Sequence, residues 1–323
     1  MYKPLQNGDE IRVVAPSQSY NKRKEGQYQR ARQRLEDLGY HITFGKHIKD
    51  VALLGTASAK DRAQDLNDAY ADTNVKAIMV MHGGWSANEI LPFLDWKILK
   101  QNPKPLIGYS DTTVLLNAIY AKTGNVGFLG PNFGTHGHET LWEFTLDNLN
   151  GVLRSQAEQL HASKRWMSNG DKKVHKTKWS VLNEGQAEGV LVGGNMGTFY
   201  LLQGTEHQPA FDKPFILAVE EDNQSGDYTA HEFSRHLESI LQLPHVRKNI
   251  QGMLIGRFEH GGTVSNELLR QILAEKQLDI PIIADMDFGH TIPMLSLPIG
   301  GHIKISASGD EATIQLQLTL LKV

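Results

Sequence analysis

The chain has 323 residues, of which 40% are hydrophobic and 21% are charged, a composition typical of a globular protein with a substantial core. Its net charge of −3 and the lack of a basic stripe argue against nucleic acid as a partner. With no cysteine, the chain can form neither disulfides nor thiolate zinc sites. The N-terminal stretch lacks a signal-peptide core and no apolar run approaches a membrane span, so we expect a cytoplasmic protein without a membrane partner.

The first part of the chain alternates predicted strands with predicted helices. The elements are, in order, strand 11–15, helix 27–38, strand 41–44, helix 59–71, strand 75–81, a helical pattern over 88–99 interrupted by Pro92, a short strand ending at 107, helix 111–120 and strand 126–129. Strands that alternate with helices favour a parallel sheet covered on both faces. We therefore predict an α/β fold that begins with a doubly wound, mostly parallel domain over 1–154.

The character of the sequence changes after about residue 150. The stretch 155–185 is polar, and we interpret it as a linker or a long substrate loop. The remainder, 186–323, predicts a smaller, β-rich C-terminal domain. Its predicted elements are strands at 187–192, 215–219, 252–255, 280–284, 302–305 and 313–318, with helices at 228–241 and 265–275.

The stretch 104–120 carries the first candidate for chemistry. Ser110 lies between a short buried strand and the start of a helix, where its hydroxyl can project from the sheet edge. The backbone N–H groups that follow would point at whatever this hydroxyl attacks. The alternative is that Ser110 or Asp111 simply caps the helix, and this stretch alone favours the cap.

A nucleophilic serine needs a base, and the base needs a group that orients it. Glu220 and Glu221 directly follow an apolar strand, so either carboxylate could orient an imidazole, although both could be solvated loop acids. His290 follows a glycine in a loop with apolar neighbours, and it could be the base or a partly buried structural histidine. Asn195, after two glycines, could bind a ligand or serve a turn before the next helix.

A metal site is a weaker alternative. His136, His138 and Glu139 carry side chains of the ligand type, but their spacing fits no helix face and no further ligand set stands nearby. The chain also has no glycine-rich phosphate loop at a strand–helix junction. We expect neither a metal nor a cofactor.

Taken together, these stretches resemble the serine LD-carboxypeptidase family, and within it the microcin C immunity-type peptidases. The resemblance covers nearly the whole chain, and its motifs are specific in their order and spacing. The motifs that carry it include Asn102-Pro-Lys-Pro-Leu-Ile-Gly-Tyr-Ser-Asp111, Gly189-Val-Leu-Val-Gly-Gly-Asn195, Val219-Glu-Glu-Asp222 and Gly289-His290.

The resemblance implies a Ser–His–Glu triad made of Ser110, His290 and Glu220. It also implies an oxyanion hole formed by the backbone N–H groups of Gly84 and Asp111, which would hold the charge that develops on the scissile carbonyl oxygen.

Substrate contacts are implied as well, at Asn195, Trp166 and Arg235. Asn195 matches an amide that holds the amino-acid part of the substrate, and Trp166 lies in the loop that carries an adenine-stacking Trp in immunity-type members. The chain departs from the family pattern in two motifs. It has His82-Gly-Gly-Trp-Ser86 where LD-carboxypeptidases usually have Arg-Gly-Gly-Tyr-Gly, and His290-Thr-Ile-Pro293 where immunity-type members have His-Thr-His-Pro.

The expected function is that of a cytoplasmic serine peptidase of immunity type, which acts as a homodimer through an acyl-enzyme. Its expected substrate is a small peptide-like compound or an aminoacyl-nucleotide conjugate. One alternative is a murein LD-carboxypeptidase of peptidoglycan recycling. Another is a non-catalytic protein that binds a small ligand on the same scaffold.

Overall fold

The computed structural model describes residues 3–168, 171, 173–259 and 264–317. The α-helices there are α1 (Glu25–Asp37), α2 (Ala59–Ala71), α3 (Trp96–Gln101), α4 (Thr112–Thr123), α5 (Trp142–Leu153), α6 (Met196–Tyr200), α7 (Thr229–Leu241), α8 (Val246–Asn249) and α9 (Asn266–Glu275). The strands are β1 (Glu10–Val14), β2 (His41–Phe44), β3 (Val75–Val80), β4 (Leu106–Gly108), β5 (Gly127–Leu129), β6 (Gln159–Leu160), β7 (Arg165–Ser168), β8 (His175–Lys176), β9 (Ser180–Asn183), β10 (Gly185–Asn195), β11 (Phe215–Glu220), β12 (Ile250–Gly256), β13 (Ile282–Met286), β14 (Thr291–Ile292), β15 (Leu297–Ile299), β16 (His302–Ser308) and β17 (Glu311–Leu316).

A six-stranded sheet organises the first half of the chain, in the order β15-β5-β4-β3-β1-β2. The five strands from this half pair in parallel, and β15, from near the C-terminus, joins β5 antiparallel. β3 is buried at every position but one, as a strand covered on both faces must be. The predicted α/β, mostly parallel arrangement is confirmed, and its outer strand comes from the far end of the sequence.

A second sheet of eight strands follows the order β6-β17-β16-β10-β11-β12-β13-β9. Its central strands, β10 to β13, are parallel, and the flanking strands are antiparallel. The β-rich character of the second half is therefore confirmed. The predicted strand over 313–318 corresponds to β17, and its last residue lies outside the described part of the chain.

α4 joins the two sheets, and every residue from Thr112 to Ile119 is buried. The Asn117 side chain accepts a hydrogen bond from Gly193 N, 3.0 Å away, and donates one to Gly193 O, 2.9 Å away. The Thr113 hydroxyl accepts a bond from the backbone N–H of Asn195. The helix after Ser110 is therefore bonded to β10 of the second sheet.

Although α4 is apolar, none of the described helices is long and apolar enough to span a membrane.

Two predicted elements differ from the structure for identifiable reasons. The helical pattern over 88–99 is divided into a 3-10 helix, Ala87–Phe93, and α3. Pro92 cannot donate a backbone hydrogen bond, and Asp95 starts a new helix by capping Ile98 N at 2.9 Å. The supposed linker over 155–185 contains four short strands, β6 to β9, of two to four residues each. Strands this short show no alternation of apolar and polar residues that a sequence could reveal.

Candidate active site

Ser110 occupies the turn between β4 and α4 in a left-handed conformation, with φ +60°. Such backbone strain at a non-glycine residue is uncommon, and it recurs at functional sites such as nucleophile turns between a strand and a helix. Neither Ser110 nor Asp111 caps α4 through its side chain. The Asp111 carboxylate instead accepts hydrogen bonds from the Ser17 hydroxyl and from Ala87 N. Asp111 occupies the N-cap position of α4, but its carboxylate binds the two neighbouring loops instead of the helix N-terminus.

Three distant stretches meet at the Ser110 hydroxyl. His290 Nε2 lies 3.0 Å from Ser110 Oγ, and His290 Nδ1 lies 2.9 Å from Glu220 Oε2. Glu220 ends β11 and is only 1% exposed. Since a neutral imidazole has one donor and one acceptor nitrogen, a proton on Nδ1, facing Glu220, leaves Nε2 free to accept the serine proton.

Glu221, the other candidate acid, takes part in a separate pair. Its Oε1 lies 2.6 Å from Nδ1 of His236 on α7, and both residues are buried. Burial raises the pKa of Glu221 to about 7, although the hydrogen bond with His236 opposes this shift. The two neighbouring glutamates thus orient two different histidines, and it is Glu220 that meets His290.

The electrostatics of His290 favour its protonated form. Burial by itself lowers the pKa of the imidazole, but the charge and hydrogen bond of Glu220 outweigh burial and raise it to about 9, with Asp222 and Glu259 adding to the effect. The imidazole of the free protein therefore becomes available as a base as the pH rises.

Two glycines allow the backbone to approach the site closely. A Cβ on Gly289, where φ is +97°, would lie 2.8 Å from Glu220 Oε2. A Cβ on Gly83 would lie 3.0 Å from Ser110 Oγ and 3.5 Å from the backbone N of Asp111. The loop that follows β3 therefore lies against both Ser110 and the Asp111 amide, and Gly84 is the next residue in that loop.

Asn195 ends β10 in register with Glu220 on β11. Its Oδ1 caps α6 by accepting a hydrogen bond from Thr198 N at 3.0 Å. Its Nδ2 is buried and has no hydrogen-bond partner among the described residues. Because an unpaired buried donor is costly, a ligand group that accepts a hydrogen bond would be favoured there.

The structure does not bring Trp166 or Arg235 to Ser110. Trp166 lines a separate cavity, where its ring lies 5.0 Å from the ring of His175 and the Arg257 guanidinium stands 5.1 Å from its centroid. Its strand, β7, does pair with β14, which begins directly after His290. Arg235 is exposed on α7.

The metal alternative finds no support in the part of the chain that the structure describes. No cluster of three or more His, Cys, Asp or Glu side chains is arranged there to hold an ion. His136 is buried, and burial, reinforced by the charge of Arg34, lowers its pKa to about 3. Glu139 forms an ion pair with Arg30 instead, at 3.4 Å.

A buried arginine holds the loops around the site, and the sequence does not single it out. Arg62 is 2% exposed and donates hydrogen bonds to the backbone carbonyls of Pro16, Ala57 and Ser86. It also pairs with Glu89 at 2.6 Å. Pro16 and Ser86 belong to the loops after β1 and β3. On an amphipathic helix such as α2, a buried arginine looks the same in sequence as an exposed one.

A cavity of about 390 Å³, the Ser110 cavity, opens beside the nucleophile. Ser110 and His290 line it together with residues of the first half of the chain, among them Gln18, Lys24, Tyr28 and His82. Parallel strands place their carboxyl ends at one edge of a sheet, which is where open α/β sheets bind ligands.

Two family models match the chain. The LD-carboxypeptidase N-terminal domain matches residues 11–130, and the LD-carboxypeptidase C-terminal domain matches residues 188–305. The protein therefore belongs to the LD-carboxypeptidase family, and it is a serine peptidase.

Individual relatives agree with this assignment. A putative carboxypeptidase of Treponema pallidum is 39% identical over 97% of this chain and 94% of that protein. The microcin C7 self-immunity protein MccF of Escherichia coli is 30% identical, again over 97% of this chain and 94% of that protein.

Solved structures extend the comparison to the fold. An MccF-like protein from Bacillus anthracis superposes with a TM-score of 0.93 at 36% identity, over 98% of both chains. MccF in complex with aspartyl sulfamoyl adenosine superposes with a TM-score of 0.87 at 29% identity, also over 98% of both chains.

Proposed function

We propose that this protein is a cytoplasmic, homodimeric serine peptidase of microcin C immunity type, which hydrolyses a small peptide-like or aminoacyl-nucleotide substrate. The observation that carries the proposal is the hydrogen-bonded chain from Ser110 through His290 to Glu220. The likeness to MccF over the whole chain, including MccF with aspartyl sulfamoyl adenosine bound, supports the substrate class.

In the proposed mechanism, Ser110 Oγ attacks the scissile carbonyl carbon while His290 Nε2 takes the hydroxyl proton. Glu220 keeps the other imidazole nitrogen protonated and stabilises the imidazolium. The N–H groups of Gly84 and Asp111 would hold the oxyanion. His290 then returns the proton to the leaving group, and water attacks the acyl-enzyme in the same way.

The substrate contacts are proposed with different degrees of structural support. Asn195 has a buried, unpaired Nδ2 beside Glu220, so we assign it to a carbonyl or carboxylate oxygen of the substrate. Trp166 stays the proposed nucleobase-stacking residue, because β7 pairs with the strand that follows His290. Arg235 has the weakest support, since it is exposed on α7 and does not line the Ser110 cavity.

Murein LD-carboxypeptidase activity is the second candidate, favoured by the family to which the chain belongs. His82 stands where members with that activity usually carry an arginine, which argues for the immunity-type substrate. A purely ligand-binding role has less support, because the hydrogen bonds that join Ser110, His290 and Glu220 are those that the proposed nucleophile and base would need.

The test combines labelling with product analysis. A fluorophosphonate probe should label the wild-type protein at Ser110 and leave the Ser110→Ala variant unlabelled. Mass spectrometry would then follow products from aminoacyl-sulfamoyl adenosines and from LD-tetrapeptides. Cleavage of the adenosine conjugates supports the proposal. Cleavage of LD-tetrapeptides alone would establish the murein activity, and labelling without cleavage of either class would contradict both substrate assignments.

A further inference from the structure

The Ser110 cavity has an unusual balance of charge. Among the described residues that line it, Lys24 is the only lysine or arginine, and no aspartate or glutamate is present. Lys24 is exposed, in the turn just before α1. The charge of Lys24 contributes to the lowered pKa of His82, which also lines the cavity.

Two polar atoms in the wall of this cavity are buried without a partner. The hydroxyl of Tyr28 and Nε2 of His82 make no hydrogen bond to any described residue, and Tyr28 is 4% exposed. The two rings stack with centroids 6.2 Å apart and an interplanar angle of 17°. The Asn21 backbone acts to lower the pKa of Tyr28, but it does not reach hydrogen-bonding geometry with the hydroxyl.

An unpaired, buried hydroxyl is costly to keep unless a ligand satisfies it. Burial lowers the pKa of His82 to about 4, so its ring is neutral at neutral pH and adds no second positive charge beside Lys24. Glu25 is an opposing charge that helps to raise the pKa of Tyr28, but its carboxylate accepts the hydrogen bond of the Tyr20 hydroxyl and does not line the cavity.

The other side of the catalytic histidine carries the opposite charge. Glu220, Asp222 and Glu259 all act on His290 electrostatically. None of these three carboxylates lines the cavity, whereas Lys24 does, so a substrate that reaches Ser110 has the carboxylates behind His290 and the ammonium of Lys24 in the cavity wall. This asymmetry favours a substrate whose negatively charged group lies on the side of Lys24.

We propose that Lys24 and the Tyr28 hydroxyl form an anion subsite in the Ser110 cavity, which binds a negatively charged oxygen group of the substrate close to the scissile bond. The inference rests on the proposed peptidase function. The anion has two possible sources, the terminal carboxylate of a peptide and the phosphate-like linkage of an aminoacyl nucleotide. Lys24 would supply charge and Tyr28 a directed hydrogen bond.

The test measures binding to the Ser110→Ala variant by titration calorimetry, with pairs of probes that differ in charge. One pair is adenosine monophosphate and adenosine, and the other is N-acetyl-D-alanine and its amide. We expect the anionic member of one pair to bind about tenfold more tightly than its neutral partner. The pair that shows this preference identifies the source of the anion.

Substitutions then assign the preference to the subsite. Lys24→Gln and Tyr28→Phe, each made in the Ser110→Ala background, should each reduce the preference by about fivefold or more. Lys22→Gln is the matched control, because Lys22 is exposed in the same turn but does not line the cavity. Tyr28→Phe should leave the melting temperature unchanged or higher, since it removes an unpaired polar atom.

Two results would overturn the subsite. One is a lack of charge preference in both probe pairs, and the other is a preference that survives both substitutions. Because these measurements need no turnover, they fail independently of the proposed peptidase activity, which the labelling and product analysis decide.

Discussion

At the scale of single residues, the strained turn at Ser110 and the 3.0 Å contact of its Oγ with His290 Nε2 support the proposal that this hydroxyl is the nucleophile. Ser110 is a turn residue outside the core. We therefore expect Ser110→Ala to keep the fold and the melting temperature while hydrolysis falls by about 10⁴-fold or more.

His290→Ala should be similarly damaging, and the double variant little worse than either single one, since such groups act as a unit. Rate measurements on the purified proteins decide this, and multiplicative losses would place His290 outside the reaction.

The raised pKa of His290 predicts the pH dependence of the reaction. Because the base must be unprotonated, kcat/KM of the wild type should rise with pH until about pH 9, the pKa of His290. Glu220 raises this pKa, so Glu220→Gln should lower the activity and move the rising limb to lower pH.

Glu221→Gln provides the matched control for this measurement, because Glu221 binds His236 instead of His290. Its pH–rate profile should keep the wild-type limb. If the rising limb moves in Glu221→Gln and stays in place in Glu220→Gln, then Glu221, and not Glu220, orients His290.

At the scale of elements, the site depends on loops that leave the carboxyl ends of β1, β3 and β4. Arg62, from α2, fastens the first two of these loops, and Asp111 binds the Ser17 hydroxyl and Ala87 N across them. Arg62→Met would leave three carbonyl groups with no partner from this side chain. We expect it to lower the free energy of unfolding by about 2 kcal/mol or more. Arg32→Met, at an exposed pair with Glu36, should change it by about 0.5 kcal/mol or less.

Denaturant unfolding of both variants gives these free energies. Labelling of Ser110 by a fluorophosphonate should also slow in Arg62→Met, since the loop that carries Gly84 loses its support. Equal stability of the two variants would show that Arg62 is no more important than a surface charge.

At the scale of the whole molecule, the polar stretch after residue 154 is tied to the strand that leads to His290. Asp287 is fully buried and accepts hydrogen bonds from Ser163 N and Oγ, from Trp179 Nε1 and from Arg257. Asp287→Asn would leave the buried Arg257 without its counter-charge. We expect a loss of about 3 kcal/mol in the free energy of unfolding.

Limited proteolysis checks where this damage falls. Cleavage within 155–185 should become faster in Asp287→Asn, because the tether of Ser163 and Trp179 is weakened. Asp310→Asn is the control, since Asp310 is exposed and its ion pair with Lys178 is exposed as well. Identical cleavage rates in the two variants would contradict the anchoring role of Asp287.

Much of this protein is determined by local patterns in the sequence. The apolar runs of β3 and β11 are visible as buried strands, and the helical spacing after Asp111 places a helix start beside Ser110. The order and spacing of the sequence motifs are sufficient to indicate the family. Local sequence determines these features because burial and helical periodicity are written in neighbouring residues.

Only the tertiary structure decided which groups meet. Glu220 and Glu221 are adjacent and identical in type, and the alternation of side chains at the end of β11 sends one to His290 and the other to His236. Trp166 is an aromatic residue in a polar stretch, and packing against His175 and Arg257 places it in a different cavity from Ser110. Such contacts join residues up to 180 positions apart, and no local pattern records a pairing over that distance.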